Sequence, residues 1–178
     1  MAALVIGSRL QSIHYVMPRG SGWPDGRERD GLHEVDMGVE LITVDGAALS
    51  LSWAMEGLNE GLAIDFFPFP GVEDDRTEAI DVSGVEEWQP LLGGTIASMA
   101  FSSHFPNEGC PETLWSVRLS FAGASSVVVA LGEVMGGGIS YQPDELVVIF
   151  DEALSKSYRI PAGRFSSWGV SVEPDELY

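Results

Sequence analysis

Trp115-Ser116-Val117-Arg118-Leu119-Ser120-Phe121, then Ala122-Gly123-Ala124, then Val127-Val128-Val129-Ala130-Leu131 is the stretch on which the fold turns. Apolar residues at every second position are the mark of a strand with one face buried. A small-residue turn follows, and an unbroken apolar run after it predicts a strand buried on both faces. Together they predict an antiparallel hairpin at the centre of a sheet.

The same reading extends outward. Val39 and Leu41 precede Asp45-Gly46, and Leu49, Leu51 and Trp53 follow it. An Asp-Gly pair between alternating segments is a strong hairpin signal, because glycine accepts the positive φ of a tight turn. Glu56 to Gly61 reads as a turn and Leu62 to Phe67 as a third strand. Downstream, Gly136-Gly137-Gly138 is a turn, Leu146 to Phe150 a strand, and Tyr158 with Ile160 a short final strand. Upstream, Ile13 to Met17 is β-compatible, and Arg19 to Gly31 reads as a loop. The expectation is a mainly β chain with little helix, its antiparallel meanders forming a β-sandwich or a partly open barrel. Residues 1–178 read as a single domain. Residues 35–67 and 115–150 share an order of strand, turn, strand, Gly-rich turn and strand, which predicts two similar β-units. An acidic connection at 71–87 joins them, exposed and with room for a short helix near Thr77 to Ile80.

Charge narrows the function classes. The chain carries 27 acids against 9 bases, a net charge of −18 over 178 residues. Ten of the acids and one arginine lie between Glu56 and Pro90. Such a surface repels phosphate backbones and anionic membranes, so neither nucleic acid nor a membrane is an expected partner. No apolar run approaches the roughly 20 residues of a spanning helix. A single cysteine, Cys110, forms no internal disulfide, and with no export signal at the start the expectation is a cytoplasmic protein. A hydrophobic fraction of 45% argues for a packed core instead of disorder.

The motifs that carry chemistry are weak. His33-Glu34-x-Asp36 offers metal-ligand types, but alternation on a strand sends His33 and Glu34 to opposite faces. Glu73-Asp74-Asp75 lacks the spacing and glycine of a calcium loop. His104 and Cys110 are near in sequence without a cation to activate the thiol, and His14 stands apart from both. No catalytic residue, metal or cofactor is expected. Of five tryptophans, Trp53 and Trp115 belong to alternating strands and read as core. Trp23 and Trp88, with Phe66, Phe67 and Phe69, are the candidates for an exposed aromatic anchor.

Leu119-Ser120-Phe121, Val127 to Glu133, Tyr141, Pro143 to Phe150 and Tyr158-Arg159-Ile160-Pro161 resemble small uncharacterised acidic proteins of high-GC bacteria, in keeping with eight arginines to one lysine. In general character the chain is similar to immunity proteins of bacterial toxin systems. The resemblance spans roughly 60 residues, carries no functional signature and transfers no site. It implies a non-enzymatic protein that neutralises a basic protein partner. The expected contact surface is Glu73, Asp74, Asp75, Glu86 and Glu87 with Trp88. Two alternatives stand beside it. One is a small-molecule-binding or catalytic β-fold with an aromatic-lined pocket holding His33 or His104. The other is a subunit of a homo-oligomer joined through an open edge at Leu146 to Phe150.

Overall fold

The computed structural model describes residues 5–24, 26–68, 75–123 and 125–171. Two antiparallel sheets hold the fold together. The first has five strands in the order β6-β5-β4-β1-β7, from β1 (Leu10–Pro18), β4 (Gly38–Thr43), β5 (Ala48–Glu56), β6 (Asn59–Asp65) and β7 (Thr77–Asp81). The second has seven in the order β14-β8-β9-β10-β13-β3-β2. Its members are β2 (Glu28–Arg29), β3 (Leu32–Val35), β8 (Ile96–His104), β9 (Thr113–Phe121), β10 (Ser126–Leu131), β13 (Leu146–Ile149) and β14 (Val170–Ser171). A separate small hairpin pairs β11 (Glu133–Met135) with β12 (Gly138–Ser140). The sheets do not close into a barrel; they make a sandwich around one continuous apolar cluster.

The hairpin at Asp45-Gly46 forms as expected, Gly46 taking φ +83° and β4 pairing β5 from Ile42↔Ala48 to Gly38↔Ser52. β10 lies between β9 and β13 with Val127 to Leu131 all buried, the two-sided position that its apolar run demands. Residues 35–67 supply the β4-β5-β6 meander of one sheet, and residues 115–150 supply β9, β10 and β13 of the other.

Four expectations are corrected. The segment Thr77 to Ile80 is not helical, and the acidic connection is not wholly a connection. β7 pairs with β1 from Pro18↔Thr77 to His14↔Asp81, because β1 has a free edge there and Thr77 and Ile80 have apolar surface to bury. The Arg19 to Gly31 run is not all loop. Asp30 and Gly31, at φ 27° and 78°, turn a two-residue hairpin that pairs Glu28 with His33 and Arg29 with Leu32. Leu146 to Phe150 is not an open edge, since β13 sits between β10 and β3. Nor do Tyr158 and Ile160 form a strand. A short helix α1 (Glu152–Ser157), capped by the Asp151 carboxylate accepting from the Leu154 amide at 2.6 Å, precedes them and turns Tyr158 inward to donate to the Leu131 carbonyl at 2.7 Å. No helix among the described residues is long and apolar enough to cross a membrane.

Candidate functional site

Of the expected contact surface, Glu73 and Asp74 lie outside the described residues. Asp75 and Glu86 are exposed. Trp88 is the opposite of an exposed anchor: it is fully buried. Its indole packs edge-on to Phe150, ring centroids 4.9 Å apart, and its Nε1–H donates to the Tyr15 hydroxyl at 2.7 Å. The physical reason is placement: the turn after β7 puts its largest side chain between Tyr15 of β1 and Phe150 at the end of β13, so that it bridges the two sheets. Phe67 stays exposed at 70% and Phe66 is half-buried, whereas Phe69 is outside the described residues. Trp115 is core, as its alternation predicts; Trp53 is half-buried and donates to the Asp36 carbonyl at 2.6 Å.

Trp88 opens onto a polar centre that bridges the two sheets. Tyr15 stands on β1, inward by the alternation that also buries Ile13 and Met17. His33 stands on β3, fully buried, with its Nδ1 2.6 Å from the Tyr15 hydroxyl. Rings enclose it: Phe150 at 4.9 Å, Trp23 at 5.1 Å and Tyr15 at 5.8 Å between centroids. Burial holds the Tyr15 phenol well above its ordinary range. Burial also pulls His33 below the usual imidazole range, opposed by the Glu87 carboxylate.

On its other side His33 meets acids. Its Nε2 lies 3.4 Å from Glu87 Oε2, and Glu28, its cross-strand neighbour, brings a carboxylate oxygen so that all three atoms fall within 4.8 Å of one another. Apart from that contact, His33 Nε2, Glu87 Oε2 and the nearby Trp23 Nε1 are buried with no hydrogen-bond partner among the described residues. The His33-Glu34-x-Asp36 grouping is thus split as strand alternation predicts. Glu34 and Asp36 turn to Arg27, and Glu34 Oε2 also accepts from the Val134 amide at 2.8 Å. The carboxylates that do reach His33 come from β2 and from the turn after β7. Asp30-Gly31 was the available signal for Glu28, being the same turn pair as Asp45-Gly46; nothing in the local sequence links Glu87 to His33.

A second set of His, Tyr and Glu closes the opposite lateral edge. His104 Nε2 lies 3.3 Å from the Glu60 carbonyl, Thr113 donates to that carbonyl at 2.7 Å, and the Tyr141 hydroxyl donates to the Glu60 carboxylate. Burial lowers His104 and raises Tyr141 relative to their ordinary ranges. Cys110 Sγ is 3.6 Å from the Leu58 carbonyl and makes no hydrogen bond with His104. His14, half-buried on β1, pairs with Glu40 at 3.1 Å. Cavities of about 290 Å³ beside Asn59 and Thr113 and about 320 Å³ beside Asp30 and Leu154 have no histidine in their walls.

Comparison of the chain with protein-family models, curated proteins and solved structures returns no match.

Proposed function

We propose that the chain binds a protein with a basic surface, in the manner of an immunity or inhibitor protein. The observation that carries this reading is the cluster of exposed acids around the β7 edge, where Arg76 is the one base within the stretch from Glu56 to Pro90. Asp75, Asp81 and Glu86 are exposed there. The nearest arginine on β1's outgoing turn, Arg19, spends its guanidinium on the backbone carbonyls of Asp75 and Thr77, at 2.8 and 3.2 Å. An excess of exposed acids of this kind makes the local potential negative and steers a cationic partner toward the surface. Trp88 supports the surface from behind: its buried indole fixes the turn that holds Glu86 outward.

The test is association kinetics. A protein retained by the immobilised chain at low salt is measured against wild type and against a variant carrying Glu73→Gln, Asp74→Asn, Asp75→Asn and Glu86→Gln. The association rate is expected to fall by about tenfold at low salt and to lose most of its salt dependence, with dissociation little changed. An unchanged rate and salt slope, or a retained protein that is itself acidic, contradicts the reading.

A further inference from the structure

We infer that Glu28, His33 and Glu87 form a binding site for a divalent first-row transition cation of the zinc or manganese kind. The inference is independent of partner binding and rests on three observations.

The first is an unpartnered buried nitrogen. His33 has no exposed surface, and among the described residues its Nε2 meets only the Glu87 carboxylate oxygen, 3.4 Å away, a loose ion-pair contact that falls short of a well-formed hydrogen bond and leaves both buried atoms without another partner. Leaving two such groups dry costs stability unless something joins them. The second is spacing. Ligand arms of about 2.1 Å in a tetrahedron have edges of about 3.4 Å, so the His33–Glu87 separation is long for a hydrogen bond and right for two ligands of one ion. Glu28 brings a third ligand atom within 4.8 Å and is exposed, which leaves a path for entry and room for water.

The third is the support behind the ring. Trp88 Nε1 can only donate, so it fixes the Tyr15 oxygen as an acceptor at 2.7 Å, and that oxygen contacts His33 Nδ1 at 2.6 Å. Without a cation the Tyr15 hydroxyl donates to Nδ1, and the imidazole proton resides on Nε2. With a cation on Nε2 the proton resides on Nδ1 and is donated to the Tyr15 oxygen. The cation displaces the Nε2 proton, Nδ1 takes one up from solvent, and the Tyr15 hydrogen rotates away from the ring, so that the same oxygen–nitrogen contact holds the imidazole in both states. A metal-bound imidazole is ordinarily oriented through its other ring nitrogen in this way. One imidazole with two carboxylates suits zinc or manganese(II) better than calcium or magnesium, which favour all-oxygen sets.

The experiment uses the untagged full chain, stripped with chelator and titrated calorimetrically with zinc chloride, then with manganese chloride and calcium chloride. Zinc or manganese is expected to bind with one equivalent tighter than the rest. Glu87→Gln should weaken that equivalent by at least about tenfold, Glu28→Gln should weaken it less, and His14→Gln should leave it unchanged. Binding that is the same in wild type and Glu87→Gln, weak multisite binding alone, or calcium binding as tight as zinc would each overturn the assignment.

Discussion

The two lateral edges of the sandwich are closed by the same residue types, yet one set is complete and the other is not. Around Glu60 the histidine, tyrosine and threonine contacts are made, although the neighbouring Asn59 Oδ1 is buried without a partner among the described residues: Tyr141 donates to the Glu60 carboxylate, and Thr113 and His104 meet its carbonyl. On one side of His33 the chain from Trp88 through Tyr15 to Nδ1 is made, while on the other Nε2 and Glu87 Oε2 meet only in a loose contact at 3.4 Å. Buried polar groups in folded proteins are overwhelmingly paired, so a satisfied set reads as structure and an unsatisfied one as a place for something else. Residue type does not separate them; geometry does.

The largest effect should come from the shared support. Trp88→Ala opens a cavity beneath the His33 centre and is expected to cost about 3–5 kcal/mol, measured by chemical denaturation. A loss below about 1 kcal/mol would mean that the indole does not close this edge. Next is Tyr141→Phe, which removes a donor to a carboxylate and should cost about 1.5–3 kcal/mol. Its counterpart on the incomplete edge, Glu87→Gln in metal-free protein, should cost nothing and raise stability by up to about 1 kcal/mol, since a neutral amide replaces a poorly partnered buried carboxylate oxygen. Equal losses in the two variants would erase the contrast between the edges.

The smallest effect concerns Glu145. Burial, then Glu34, Glu133, Asp36 and Asp144, raise its carboxyl above the ordinary carboxylate range. A folded-state value above the unfolded one means that the charged form is disfavoured by folding. The penalty is therefore present at neutral pH and disappears as pH falls below the unfolded carboxylate value. Glu145→Gln should raise the Tm slightly at pH 7, with the gain shrinking on acidification toward pH 4. A gain that grows in acid would reverse the sign.

Much of the fold was legible because strands announce themselves locally. The alternation of Trp115 to Phe121, the apolar run at Val127 and the Asp45-Gly46 turn each report their own environment. The β2-β3 hairpin was legible too, in Asp30-Gly31, but the arginines and acids around it favour a loop reading. β7 was hidden because its acids mask a strand that needs only Thr77 and Ile80 to bury, and its partner β1 lies some sixty residues away. The same separation hides the candidate site. Glu87 reaches His33 across the gap between sheets, and Trp88 looks like a surface residue because its neighbours in sequence are acidic. Burial depends on what stands opposite in space, which no local window contains.

The most direct test of the contrast between the edges is anomalous diffraction at the zinc absorption edge from crystals of the full chain grown with one equivalent of zinc. The account predicts a single strong peak bonded to His33 Nε2 with Glu87 and Glu28 completing the set, and none at His104 or Glu60. A peak at His14, at the His104 edge or only among surface carboxylates would contradict it.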